Sequence, residues 1–409
     1  MYVHRCRVIA ILLVTGLMLA GCGNRIEMNE LGITTATGFD GHQGDWTITY
    51  QVIIPPAMSS GAGGSSGGAG SQAAVHTFSA HGKTIREALA SSSRENPRKL
   101  YFAHTNILII GKEAAETGIE EILDTYYRNP DARETVKVLI ANGVARDYLN
   151  KLIPPEKLPG RALSKILEKN KQLSSYYPSV SVHELALGIS SDSAAAGVPQ
   201  ISIKGTDSSS LESASVFQKT STSSNLEISG LSVFHKAKMV GTLDQNESLG
   251  ISWLTNHIHL TTISYNSKDA TDVSAFLVRN AKVKVTPVKG ALHYTLKVKA
   301  KVVVGEFLET TTHEDLLKTQ SIGKLEQRAE EIIRSQILEG WKAVQHLKID
   351  LVGIGNKIHR KSPKDWKRLK KDWPGEIANM DIDIDVKVNL KRPGLFQSSF
   401  SRLLQSDED

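Results

Sequence analysis

The sequence predicts an α+β protein of two or three domains, and three observations carry that expectation. The chain has 409 residues, too many for one ordinary hydrophobic core. In the first half, short apolar strands alternate with amphipathic helices, the order of a mixed sheet with helices packed on it. In the second half, two long alternating strands are followed by helical stretches and a closing strand, which predicts an antiparallel sheet with helices on its buried face.

Taken in order, Met1 to Arg7 is short and basic, and Val8 to Ala20 is apolar. That run is too short to span a bilayer but suits the core of a secretory signal peptide. Leu19-Ala20-Gly21-Cys22 resembles the lipobox of bacterial lipoproteins. The resemblance implies removal of residues 1–21 and attachment of lipid, diacylglycerol and palmitate, at Cys22. Trp46, Ile48, Tyr50, Val52 and Ile54 alternate as a half-buried strand stopped by Pro55-Pro56. The stretch 57–74 is nearly all Gly, Ser and Ala and is expected to be a mobile loop. Val75 to Ala80 reads as a strand, and Thr84 with Glu87 as the capping box of a helix carrying Ile85, Ala88 and Leu89. Leu100 to Ile110 reads as one buried strand region, Lys112 to Arg128 as one helix, Thr135 to Ala141 as a strand, and Ala145 to Leu152 and Arg161 to Leu173 as helices. Serine accumulates from Ser190 to Ser229, the expected main domain boundary, interrupted by one strand candidate at Pro199 to Ile203.

The second half opens with strands Leu231 to Phe234 and Met239 to Leu243, then a helix capped by Asp244 with Glu247 at the box position. His257 to Tyr265 reads as extended. Two long strands, from Ala281 and from Leu292, meet at Lys289-Gly290 and carry lysines on the outward face, so the hairpin buries one side only. Ile322 to Leu347 is the longest helix, Asp350 to Lys371 a basic helical stretch, and Ile382 to Leu390 the closing strand.

Composition excludes several chemistries. Cys6 and Cys22 are the only cysteines, so a chain cleaved and acylated at Cys22 has no free thiol, no disulfide and no thiolate metal site. Loss of Arg5 and Arg7 lowers the formal charge from +6 to +4. Lys357 to Trp373 alone carries eight basic residues against Asp365 and Asp372. Such a run is usually a solvated helix face; its functional reading is contact with anionic lipid headgroups or an acidic partner. It lacks the interleaved spread of a nucleic-acid groove.

Other constellations read as structural. His257-Ile258-His259 offers two imidazoles on one strand face without a third ligand. His104 reads as a hydrogen-bonded structural histidine between apolar strands. His313-Glu314-Asp315 reads as a helix start. Gly353-Ile354-Gly355 lacks the strand and remaining glycine of a dinucleotide fingerprint. No catalytic residue, metal site or cofactor is therefore expected.

Several stretches together resemble the Ger(x)C family, the C subunits of spore nutrient germinant receptors. They are Leu19 to Cys22 with Glu27 to Gly32; Gly82 with Arg86-Glu87-Ala88; Lys99 to His104 leading into Leu108 to Gly111; Gly230 to Phe234; Asp350 with Gly353 and Gly355; Lys361 to Trp366; and Val386 to Leu395. The resemblance implies a non-enzymatic, lipid-anchored subunit of three α+β domains built on distorted sheets. Their expected extents are 22–200, 229–272 and 273–400, with a serine-rich linker at 201–228 and an acidic tail at 401–409. It also implies membership with an A and a polytopic B subunit on the outer face of the spore inner membrane, and no nucleic-acid partner. The alternative is a substrate-binding lipoprotein that delivers a small ligand to a transporter.

Overall fold

Alternation through Trp46, Ile48, Tyr50 and Val52 turns one strand face inward, and all four side chains are buried. They lie on β2 (Asp45–Ile53), which forms an antiparallel meander with β1 (Leu31–His42) and β3 (Val75–Gly82). The computed structural model describes residues 27–55, 73–266, 273–308 and 319–391, with positions 2, 4, 5 and 7. Cys22 and most of the expected signal peptide, nearly all of the Gly/Ser stretch, His313 to Asp315 and the 401–409 tail lie outside the described residues.

On its other edge β1 pairs in parallel with β4 (Lys99–Tyr101) and β5 (Ile107–Ile110), and β5 pairs in parallel with β6 (Lys137–Ala141). Helices make the crossovers, as parallel pairing requires. They are α1 (Ile85–Ser91), α2 (Lys112–Thr117), α3 (Glu120–Tyr127), α4 (Ala145–Leu149), α5 (Pro159–Leu173) and α6 (Val182–Ser190). The single helix expected from Lys112 to Arg128 is broken because Gly118 adopts φ 139°, a conformation open to glycine that ends α2.

The serine-rich segment expected as a linker is ordered. β7 (Ala195–Gly205) runs parallel to β6 and pairs along its length with β8 (Ser224–His235), which continues to β9 (Lys238–Leu243). Between β7 and β8, Leu211 and Val216 are buried in short 3-10 turns, so a few apolar anchors hold the polar segment in place. Residues 229–272, expected as a small middle unit, divide between two sheets: β8 and β9 extend the first, whereas β10 (Thr261–Asn266) opens the second.

The second sheet has the order β10, β11 (Val273–Lys289), β12 (Tyr294–Leu308), β13 (Asp381–Leu390). The expected antiparallel closing strand is instead parallel to β12. The physical reason lies in the connection: α8 (Thr319–Leu347), α9 (Ile354–Lys361), α10 (Pro363–Leu369) and α11 (Trp373–Asn379) carry the chain back across one sheet face before β13 begins. The basic stretch is two helices, not one, because Pro363 starts α10 and cannot continue α9. Val283, Val285, Leu296, Val298, Ala300, Val302 and Val304 lie in one hydrophobic cluster with Ala329, Ile333, Ile337, Trp341 and Val344 of α8. Ahead of this sheet, α7 (Gln245–Leu254) starts with the expected capping box and crosses α8. The molecule is thus α+β, with two sheets, and the hydrophobic cluster of the second reaches Leu231 and Val233 on β8 of the first.

Candidate functional site

The basic segment was the strongest feature of charge in the sequence, and its helices sort by burial. Ile354, Ile358, Trp366, Trp373 and Ile377 turn inward, while Arg360, Lys361, Lys364, Lys367, Arg368, Lys370 and Lys371 are exposed. Lys357 departs from the pattern: it is half-buried, and burial lowers its pKa. Asp365 is engaged by Lys289 at 2.8 Å, Ser362 Oγ at 2.9 Å and Tyr294 OH at 3.1 Å. The hydrogen bond from Lys289, followed by that from Ser362, holds its carboxyl at about 2.

The start of α9 is clasped to the first sheet. Asp350 is buried and accepts from Ile354 N at 2.9 Å, Gly355 N at 2.7 Å and Ser193 Oγ at 2.6 Å. Ser193 N donates to Asn356 Oδ1 at 3.2 Å. Asp192 receives Trp366 Nε1 at 3.2 Å and lies 2.6 Å from His359 Nδ1. Gly353 has φ +71°, and a Cβ on Gly355 would stand 2.8 Å from the Trp366 ring. The glycine pair therefore shapes a tight helix entry, and Asp350 occupies the helix N–H groups that a phosphate would need.

A second basic surface covers the open face of the second sheet. Lys282, Lys301 and Lys387 stand in one cross-strand row, and Lys284, Lys299 and Asp385 in the next; all six are exposed. Like charges directly opposite one another in a sheet are destabilising, so nothing in the fold alone favours this row of lysines.

The remaining residues singled out in the sequence are separated. His104 is exposed in the turn between β4 and β5, edge-on to Tyr101 at 5.8 Å, rather than hydrogen-bonded between buried strands. The apolar residues flanking it face the core, but the turn carries His104 outward. His257 and His259 lie in the loop before β10 rather than on a strand face; His257 Nδ1 contacts Thr255 Oγ1 at 2.7 Å, and His259 N donates to Ser175 Oγ at 3.0 Å. Among the described residues no three His, Cys, Asp or Glu side chains gather as a metal site, and no helix is long and apolar enough to cross a membrane. One feature without a sequence signal is a cleft of about 520 Å³ between α1, β4 and the end of α3. A narrower pocket of about 40 Å³ adjoins it, and its lining includes Thr37 and Tyr50, which look like ordinary strand residues until β1, β2 and β5 are brought together.

These features define a two-sheet α+β protein that presents basic faces from its second sheet unit. Comparison with known families gives the class a name. Residues 24–203 match the spore germination protein N-terminal domain, and residues 229–394 match the C-terminal domain of the spore germination B3/GerAC-like proteins. The chain belongs to the Ger(x)C family of spore germination proteins. It is 26% identical to spore germination protein KC of Bacillus subtilis (strain 168), covering 99% of this chain and 100% of that protein. It is 22% identical to spore germination protein B3 of the same organism, over 91% of this chain and 94% of that one. The crystal structure of the GerBC protein shares the fold with a TM-score of 0.52 at 16% identity, over 88% of this chain and 98% of that one.

Proposed function

We propose that the chain is the lipid-anchored C subunit of a spore nutrient germinant receptor. In this reading it is not an enzyme: it works by docking on an A and a polytopic B subunit at the outer face of the spore inner membrane. The observation that carries the reading is the end-to-end correspondence with spore germination proteins, beginning beside the Leu19 to Cys22 pattern. Acyl chains on Cys22 anchor the chain, since each buried methylene contributes about 0.8 kcal/mol. The exposed cations of α9 and α10 and the lysine rows on β11, β12 and β13 supply charge that suits anionic headgroups or acidic partner loops. Crosslinking the tagged chain in spore membranes and identifying what copurifies tests the proposal. Recovery of a polytopic membrane protein with an A-type subunit supports it; recovery of the chain alone from intact membranes refutes it.

A further inference from the structure

We propose that the first sheet unit holds a binding site for a short-chain carboxylate bearing a neutral hydroxyl or amide at its far end. The cleft of about 520 Å³ shares Leu89, Phe102, Thr125 and Asn129 with a narrower inner pocket of about 40 Å³. The two adjoin across these four side chains, and in the proposed site they serve as one depression, wide at the mouth and tight at the floor.

At the mouth stand Arg86, Arg98, Lys99 and Arg128, with Asp131 the one carboxylate in the lining. Arg128 is engaged by Asp124 at 2.9 Å, whereas Arg98 and Lys99 have no ion-pair partner among the described residues. The mouth is thus a receptor for an anion, with a guanidinium able to take a carboxylate through two parallel hydrogen bonds. The inner pocket is lined by Phe39, Ile48, Ile85 and Leu108, walls that favour methylene groups. Its volume holds about three atoms of water size, so only a narrow chain enters.

The floor determines what ends that chain. Thr37 is 3% exposed, and its Oγ1 has no hydrogen-bond partner within the protein. Tyr50 faces it across the β1–β2 register, and burial raises the Tyr50 pKa well above its ordinary value, so the phenol is neutral. A buried hydroxyl without a partner is costly, and a native fold seldom retains one without a reason. An ionised group does not suit this apolar floor, because no charge is there to compensate its desolvation. A hydroxyl or amide, by contrast, both donates and accepts.

The readout is binding by the full-length chain alone, so it is independent of whether that chain assembles with receptor subunits. Titration with 5-hydroxypentanoate, pentanoate and pentane-1,5-diol, followed by calorimetry or NMR shifts, is the test. Saturable binding of 5-hydroxypentanoate with a Kd of about 1 mM is expected, about five- to tenfold weaker for pentanoate and weaker again for the diol. Thr37→Val should fold as the parent does and bind the hydroxy acid no better than pentanoate. Arg98→Ala with Lys99→Ala, both at exposed positions, should weaken both acids. Absence of saturable binding to the parent chain overturns the proposal. So does equal affinity for the two acids, or affinity unchanged by Thr37→Val.

Discussion

Asp350 shows how one side chain can join two parts of a chain. Its carboxylate takes two N–H groups at the start of α9 and the hydroxyl of Ser193, a residue 157 positions earlier. Asp350→Ala leaves three donors without an acceptor in a buried place, and the expected loss is about 3 kcal/mol in denaturant unfolding. Asp365 makes a different prediction, one about pH. Its folded-state pKa, about 2, lies below the ordinary 3.8, so its contribution is present above about pH 4 and is lost as the pH falls toward 2. Asp365→Asn should therefore lower the thermal midpoint at pH 6, and its difference from the parent should shrink between pH 4 and 2. An equal difference at every pH would mean that the ion pair with Lys289 is not the source. These residues were partly legible in the sequence: Asp350, Gly353 and Gly355 stood out as a spaced set. Ser193 did not, because a serine in a serine-rich stretch carries no local signal of a distant carboxylate.

Among the elements, the α7–α8 crossing depends on two glycines. A Cβ on Gly340 would lie 2.5 Å from the Gly250 carbonyl carbon, and one on Gly250 would lie 2.4 Å from the Gln336 carbonyl oxygen. Backbone against backbone cannot yield as a flexible side chain does, so Gly340→Ala should cost about 1–3 kcal/mol through overpacking. Gly323 on the same helix has open space around it, and Gly323→Ala should instead stabilise by up to about 1 kcal/mol through helix propensity. Opposite shifts in thermal midpoint check both; a gain at each position would show that the crossing is loose. The elements themselves were largely legible, since the inward stripe of α8 and the alternation of β11 and β12 are local patterns. Strand partners were not, because pairing depends on the crossovers. The parallel seating of β4, β5 and β6 beside β1, and of β13 beside β12, follows from helices that bring the chain back, which no single segment records. The same limit hid the ligand cleft, whose floor exists only after Thr37 and Tyr50 are paired.

At the scale of the whole molecule, the proposed anchor and the basic surfaces make separable predictions. If acyl chains on Cys22 tether the protein, its basic surfaces need only orient it, and the two contributions can be separated. In a Cys22→Ala chain, membrane retention from acylation should disappear, leaving electrostatic attraction as the residual affinity. At about 1 kcal/mol per basic residue near an anionic surface, Lys361, Lys364, Lys367 and Lys371 together contribute up to about 4 kcal/mol. All four are exposed on α9, α10 and the turn that follows, clear of the buried Ile358, Trp366 and Trp373 contacts. Changing the four to Glu should therefore leave the thermal midpoint nearly unchanged. Sedimentation with phosphatidylserine vesicles should fall by at least tenfold, and binding of the unreversed Cys22→Ala chain should weaken as salt is raised. Neutral vesicles serve as the control, with weak binding expected for both chains. Undiminished sedimentation after charge reversal would assign the membrane contact elsewhere, with the lysine rows of β11, β12 and β13 next to test by the same substitution. Loss of sedimentation with phosphatidylserine alone would place the basic helices against the bilayer.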